Sequence, residues 1–408
     1  MRDGDVFLKK VGKAIADFIR YTDKILLLLC VFASSYGILL VYSATRYTLK
    51  DGQWISGTSK TMIMAVLLGI FCAFIISLID YDVIVKLWSL IALVAGGLMV
   101  LTLFIGRGPE NGADDTAWLV LPGGIYFQPS ELGKIGFIIT FSVHLNKVKE
   151  HISSFPTVLL LGLHACIPLL LVMKNGDDGS AILFLFIAAL MMFAAGIKLI
   201  YFIIGGVLAV GGFAAAWLLD LIPTFQKNRF MVVFDPSFDP QNFAFQQNQS
   251  LAAIGSGQIW GKGLFQGNYT QRTPKNFYVP ENQNDFIFSV SGEELGLVGC
   301  VVLILVLLAI CLRVLSVGFK AKNNTGFLIC SGIAGMILSQ SFLNIGMCLK
   351  LLPVIGITLP FFSSGGSSNV CIYLGIGLIF SIYRSSMTGY NAKSDLARYG
   401  RSYHKHRI

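Results

Sequence analysis

The feature that most constrains this chain is its succession of membrane-length apolar runs. About 20 consecutive apolar residues cross a bilayer as a helix. Ten such runs can be placed, near 24–43, 61–80, 84–105, 131–146, 156–173, 180–196, 198–220, 286–312, 326–347 and 367–383. Only 13% of the residues are charged and 55% are hydrophobic, with a mean hydropathy of +0.71; a soluble domain carries about 25% charged residues. The expected fold is an all-α polytopic membrane protein of about ten transmembrane helices, with a long extracytoplasmic loop between helices 7 and 8. Ten crossings put both termini on one side. Lys and Arg are retained in the cytoplasm, and with the N-terminus inside, 19 of the 31 basic residues fall on cytoplasmic segments, 11 on outer loops and one, Lys134, within a span. Both termini are therefore expected in the cytoplasm of a plasma-membrane protein.

The same placement accounts for the net charge of +9. Basic residues flank spans instead of alternating with aromatics on a polar face, so nucleic-acid binding is not expected. Residues 1–23 read as a cytoplasmic interfacial helix, with Phe7, Val11, Ile15 and Phe18 on one side and Lys9, Lys10 and Lys13 on the other. The tail, 384–408, is a basic cytoplasmic segment carrying Arg384, Lys393, Arg398, Arg401, Lys405 and Arg407. The first apolar run is long enough to span and lacks a small-residue cleavage pattern, so it is expected to remain as an anchor. All eight cysteines lie in or beside apolar runs without a CxxC pair, the pattern of small core residues. With no internal repeat, the chain 1–408 reads as one membrane domain.

Most connections are short, but 221–285 is long, polar and rich in Gly, Gln, Asn and Pro, the usual mark of a functional loop. It ends in Tyr278-Val279-Pro280-Glu281-Asn282-Gln283-Asn284-Asp285-Phe286, which sets a carboxylate at the mouth of a span. An ionisable group against hydrocarbon costs roughly 2.5–3.5 kcal/mol at a helix centre, less near the interface, so one that persists there marks function. Asp285 is the leading catalytic candidate.

Four outer clusters surround that idea. Asn111-Gly112-Ala113, Trp118 and Gln128-Pro129-Ser130-Glu131-Leu132-Gly133-Lys134 open a helix on which Glu131 and Lys134 share a face; they form either a neutralising ion pair or a lysine aimed at an anionic head group. Asn175-Gly176-Asp177-Asp178-Gly179-Ser180 is an acidic turn that either caps the next helix or lends Asp177 to a divalent cation such as Mg or Mn. The third runs from Arg229 through Asp235 and Asp239 to Gln246, Gln249-Ser250 and Gly255-Ser256-Gly257, Gly261-Lys262-Gly263. It is no phosphate loop, because Ser256 stands where GxxxxGK needs Gly and Trp260 where GxGxxG does. The fourth, Leu352 to Pro360 followed by Ser363-Ser364-Gly365-Gly366-Ser367-Ser368, is too polar to face lipid and fits either a re-entrant cavity wall or a plain turn. A carboxylate, cations and amide and hydroxyl donors beside lipid suit a substrate with a pyrophosphate, a sugar and an isoprenoid tail, whose leaving charge the cations offset.

Together these residues resemble the SEDS (shape, elongation, division, sporulation) family, RodA and FtsW among its members, over nearly the whole chain. The match is carried by Leu40-Val41-Tyr42-Ser43-Ala44-Thr45, Gln128-Pro129-Ser130-Glu131 with Lys134, the Asp177 turn, Gln249-Ser250 with Ala253-Ile254-Gly255-Ser256-Gly257, Pro280-Glu281 with Asp285-Phe286-Ile287-Phe288, Glu293-Glu294-Leu295-Gly296, Asn344, and Leu359-Pro360 through Ser367. The resemblance implies a peptidoglycan glycosyltransferase that polymerises lipid II at the outer face of the membrane beside a class B penicillin-binding protein. It places the catalytic aspartate on Asp285 and substrate-binding roles on Glu131, Lys134, Asp177, Arg229, Gln249, Ser250, Glu281, Ser363, Gly365 and Gly366. The chain departs from the family at Gln283-Asn284 (commonly His-Thr), in the Asn175 to Ser180 turn (commonly Gln-Pro-Asp-Leu-Gly-Thr), at Gln258 (commonly Gly) and at Ser364 (commonly Tyr). Gln283 is similar to the sporulation branch, while the N-terminal motif is similar to RodA.

The mechanism this implies has Asp285 as general base on the acceptor 4-hydroxyl, with Lys134, Arg229 or a cation held partly by Asp177 steadying the pyrophosphate. Two other readings stand beside it: a flippase for the lipid-linked precursor, and a non-enzymatic scaffold for a penicillin-binding protein.

Overall fold

The computed structural model describes residues 18, 20–49, 52–108, 116–235, 238–239, 241–271 and 279–405, those beyond 387 by backbone alone. Residues 1–17 of the expected interfacial helix, Asn111-Gly112-Ala113, Tyr278 and the side chains of the basic tail from 388 onward lie outside the described residues.

Each expected span falls on a helix: α1 Lys24–Ala44, α2 Gly57–Leu78, α4 Trp88–Ile105 behind the short α3 Tyr81–Lys86, α5 Pro129–Lys147, α6 Phe155–Lys174, α7 Asp178–Ala194, α8 Leu199–Leu218, α11 Ile287–Phe319, α12 Asn324–Cys348 and α13 Gly366–Lys405. Eight are long and apolar enough to cross a membrane, α5 and the 17-residue α7 being outside that set. Burial explains how a polar helix such as α5 is tolerated: a helix enclosed by others need not be apolar all round where its polar groups are paired. α12 is the axis of the bundle, with 83% of its apolar window buried, whereas α8 has no buried residue and lies at the periphery. Asp23 and Ser56 cap α1 and α2 by accepting from the N–H groups of Leu26 and Ser59 at 3.0 Å each. A hairpin, β1 Leu119–Leu121 and β2 Ile125–Phe127, turns at Gly123-Gly124 ahead of α5. The cysteines are free thiols, six of them buried.

Two differences from expectation concern the region before the site. The segment 221–285, read as a loop, contains α9 Thr224–Phe234 and α10 Phe245–Gly257. The buried face of α10 is Gln247, Ser250, Ala253 and Gly257, spaced at helical intervals but largely polar, so apolar periodicity could not reveal it. The span expected at 286–312 is interrupted: Gly296 adopts φ 67°, ψ −162° inside α11. There the loop after α10 inserts its backbone, Leu297 and Val298 N–H donating to Gln258 and Ile259 carbonyls at 2.8 and 3.2 Å, and Lys262 and Gly263 N–H to Glu293 and Glu294 carbonyls at 3.0 and 2.9 Å. A Cβ on Gly257 would stand 1.9 Å from the Gly292 carbonyl oxygen, so only glycine permits this approach.

Candidate active site

Asp285 sits two residues ahead of α11, in a series of tight turns closed by Asn284 and Phe286 N–H groups donating to the Glu281 carbonyl at 3.0 and 3.2 Å. Glu281 holds a positive φ of 52°, and its Oε2 accepts from Gln283 Nε2 at 3.2 Å and Asn284 Nδ2 at 2.9 Å. Asn344 of α12 donates to the carbonyls of both Asp285 (2.8 Å) and Ile357 (2.7 Å), joining the turn to the segment 352–366. Ser363 Oγ donates to the Asn284 carbonyl at 2.6 Å, Ser364 N–H donates to the Gln283 carbonyl at 3.0 Å, and the Ser364 hydroxyl donates to Asn284 Oδ1. The 352–366 segment is thus a wall held against the Asp285 turn. At Gly356 (φ 66°) a Cβ would lie 3.8 Å from Asp285 Oδ2.

Asp285 is half-buried, and its carboxyl is raised from 3.8 to about 7, first by burial and then by the Glu281 charge, with Arg229 opposing. A carboxyl at that value accepts a proton effectively near neutrality.

A second cluster lies at the other end of the wall. Asp177 caps α7 through Oδ1, which accepts from Ser180 N–H at 2.9 Å, while Oδ2 accepts from Gln128 Nε2 at 2.8 Å and Ser130 Oγ at 3.1 Å. Ser367 Oγ accepts from Gln128 N–H at 3.2 Å, and Thr358 Oγ1 donates to Ser368 Oγ at 3.1 Å. The Ile355 carbonyl packs onto Gly179, where a Cβ would be 2.3 Å away. Gly365 and Gly366 end the wall and begin α13. Arg229 of α9 stacks over Phe225 at 4.3 Å, and its charge reaches both Asp178 and Asp285.

Glu131, Lys134 and Ser250 make internal contacts. Lys134 is fully buried and donates to Glu131 Oε1 at 2.9 Å, so it forms the neutralising ion pair and is not exposed to a head group. Ser250 is buried; its Oγ lies 2.6 Å from Ser289 Oγ and donates to the Cys348 carbonyl at 2.7 Å, fixing α10 to α11 and α12. Gln249 is half-buried, its Oε1 without a partner among the described residues.

The family model described as cell cycle protein (FtsW, RodA, SpoVE) matches residues 23–388. The chain belongs to the FtsW/RodA/SpoVE family. Among this family, a probable peptidoglycan glycosyltransferase FtsW of Geobacter sulfurreducens is 32% identical over 384 residues, 91% of this chain and 97% of that one. Stage V sporulation protein E of Bacillus subtilis is 30% identical over 371 residues, 89% and 97% of the two chains. A solved chain described under the structural coordination of polymerization and crosslinking by a peptidoglycan synthase complex superposes with a TM-score of 0.73 at 25% identity, covering 90% of this chain and 98% of that one. The Thermus thermophilus rod shape determining protein RodA shares the fold, with a TM-score of 0.63 at 24% identity over 90% of this chain and 97% of that one.

Sequence reasoning left several roles in this FtsW/RodA/SpoVE chain unread. Buried Glu293 accepts from Lys262 Nζ (2.7 Å) and from the N–H groups of Asn268 (2.7 Å), Tyr269 (3.0 Å) and Thr270 (2.8 Å), folding 262–270 around one carboxylate. Glu294 accepts from Ser43 Oγ at 2.6 Å and Gln271 Nε2 at 2.7 Å, tying α1 to the same loop. The adjacent acids before Gly296 were the available signal, since acids inside an apolar run need partners. As for a cation, no group of three or more His, Cys, Asp or Glu among the described residues could hold one, and both oxygens of Asp177 are already engaged.

Proposed function

We infer that the protein polymerises lipid II into peptidoglycan strands by direct glycosyl transfer at the outer face of the plasma membrane, working beside a class B penicillin-binding protein. The carrying observation is Asp285, a carboxyl raised to about 7 at the edge of a membrane helix. It takes the proton from the acceptor 4-hydroxyl as that oxygen bonds to the anomeric carbon of the donor. The bond from that carbon to the lipid pyrophosphate breaks, its electron pair leaving with the pyrophosphate, and the α-linked donor gives a β-1,4 product. A positioned base contributes typically 10²–10⁴-fold; the wall supplies orientation, and the Arg229 cation favours the departing charge. Relatives named as FtsW glycosyltransferases and the likeness to a synthase-complex chain support this reading.

The test is polymerisation of labelled lipid II by the purified protein with its partner, with and without divalent metal. Asp285→Asn keeps the shape and removes the base, and polymer should fall at least a hundredfold. Near-normal polymer from that variant would defeat the assignment, and a glycosyl-enzyme trapped on Asp285 would overturn direct attack.

A further inference from the structure

The Asp285 turn is braced from the wall through one side chain. Asn284 Nδ2 donates to Glu281 Oε2 at 2.9 Å, and Gln283 Nε2 joins it on the same oxygen at 3.2 Å. A carboxylate oxygen only accepts, so it fixes which end of the Asn284 amide is nitrogen and turns Oδ1 the other way. There Oδ1 needs a donor, and the Ser364 hydroxyl supplies it. Ser364 is itself held on both sides. Asn369 Nδ2 donates to the Ser363 and Gly365 carbonyls at 2.8 and 2.9 Å, and Ser363 Oγ accepts from Leu359 N–H at 2.7 Å. The hydrogen bonds therefore run in one direction, from Ser364 through the Asn284 amide to the Glu281 carboxylate. Glu281 keeps a φ of 52°, a conformation that a residue other than glycine holds only where its surroundings over-determine it.

The charged and titratable groups that face Asp285 are few. Glu281 stands in the same turn, Arg229 reaches it from α9 while also lying in the field of Asp178 of α7, and the Cys348 thiol of α12 lies 3.5 Å from the Asp285 carbonyl. α10 carries no charged residue, the wall 352–366 and the next residues 367–370 carry no ionisable side chain, and Glu293 and Glu294 of α11 are bound to the segment 262–271. Among the described residues Glu281 is thus the carboxylate whose charge bears on Asp285, and where it stands depends on its two amide donors. Hydrogen bonds to a carboxylate are of the stronger, charge-assisted kind; a glutamate freed from them spreads over several rotamers, and its charge draws away on average. We propose that Ser364 is a positioning residue for glycosyl transfer: through the Asn284 amide it holds the Glu281 carboxylate over the Asp285 turn, so that a residue of the wall governs the electrostatic surroundings of the base. The inference deepens the glycosyl-transfer reading and rests on Asp285 being its base. With the carboxylate released, the acid limb of polymerisation moves to lower pH, the direction in which removing the Glu281 charge moves it.

The test compares initial rates of lipid II polymerisation across pH for the full chain with its partner in nanodiscs, each variant scaled to its own rate at high pH. Ser364→Ala removes the hydroxyl and leaves the backbone N–H on the Gln283 carbonyl in place. Its acid limb should move down by about half a pH unit, which is a roughly threefold gain in scaled rate at pH 6. A damaged fold lowers the rate at every pH and cannot produce that gain. Asn284→Ala cuts the same path from the other side and should match it, while Ser364→Thr, which keeps the hydroxyl, should return the limb to its original place. In a Glu281→Gln background, Ser364→Ala should shift nothing further. An unmoved limb in both alanine variants, or an equal shift with Glu281 already neutral, overturns the relay. The carboxyl can also be followed without catalysis, through the pH dependence of the infrared carboxylic C=O band that Asp285→Asn abolishes. If that band shifts in Ser364→Ala while the rate profile does not, the relay holds and Asp285 is not the base; if the band stays in place, the relay falls and the reaction stands.

Discussion

Asp285 carries opposite consequences for activity and stability. As a base it acts deprotonated, so polymerisation should climb as pH rises through about 7 and fall roughly tenfold per unit below it, which a pH series of initial rates will show. Glu281 pushes that value up and Arg229 pulls it down. Glu281→Gln, which retains an acceptor for Asn284, should therefore move the acid limb to lower pH, and Arg229→Gln should move it higher. Shifts in the same direction would contradict the electrostatic account. For stability the sign is set by a carboxyl whose folded value lies above its unfolded one. The folded state then binds the extra proton, so stability is full below about pH 4 and declines as pH rises through about 7. Asp285→Asn should accordingly stabilise the fold at pH 8, by no more than about 4 kcal/mol, and so raise the thermal midpoint there while changing it little at pH 4. An acid held at an energetic disadvantage is what the sequence indicated when it set a carboxylate against a span. The sequence could not show the partners of that acid: Glu281 is nearby in the chain, but Arg229 and Gly356 reach it only through tertiary folding.

At the scale of elements, α10 and the broken α11 form one unit. Gly257 and Gly296 let two backbones interleave, and neither position has room for a methyl group. Gly257→Ala should cost about 1–3 kcal/mol, as expected for a forced backbone shift, and Gly296→Ala should cost more, because it adds a positive-φ penalty. Thermal unfolding in detergent measures both, and a neutral Gly257→Ala would show that the approach is looser than described. Ser250→Ala removes a hydroxyl shared with Ser289 and Cys348 and should cost about 1 kcal/mol. The helix α10 was illegible because three of its four buried positions are an amide, a serine and a glycine, residue types that make no apolar stripe, and α9 was illegible because it buries Val232 alone. In contrast, Asp177 and Ser180 spell a helix start in the sequence, and the structure uses them as one.

At the scale of the whole molecule, one set of contacts gathers Gln128, Asp177, Asp285 and Ser363 at one end of the bundle, while Arg313 meets Asp23 at 2.8 Å and Asn323 meets Asp82 at 3.0 Å on other connections. From the distribution of basic residues, the first set is expected outside the cell. An impermeant maleimide should label a cysteine at Trp54, which is 86% exposed, in intact cells, and label one at Lys322 only after permeabilisation, each above the native-cysteine background. The reverse pattern would put the Asp285 turn on the cytoplasmic side and remove the proposed reaction. By itself the sequence determined the class of fold, the positions of the membrane-length helices and the acid at the membrane edge, because the cost of burying charge and backbone in lipid is local and can be read residue by residue. Only the tertiary structure decided that Lys134 is sealed against Glu131 and that the wall 352–366 clasps the Asp285 turn. Each of those depends on which polar groups from distant segments meet, and pairing between distant segments leaves no periodic trace along a chain.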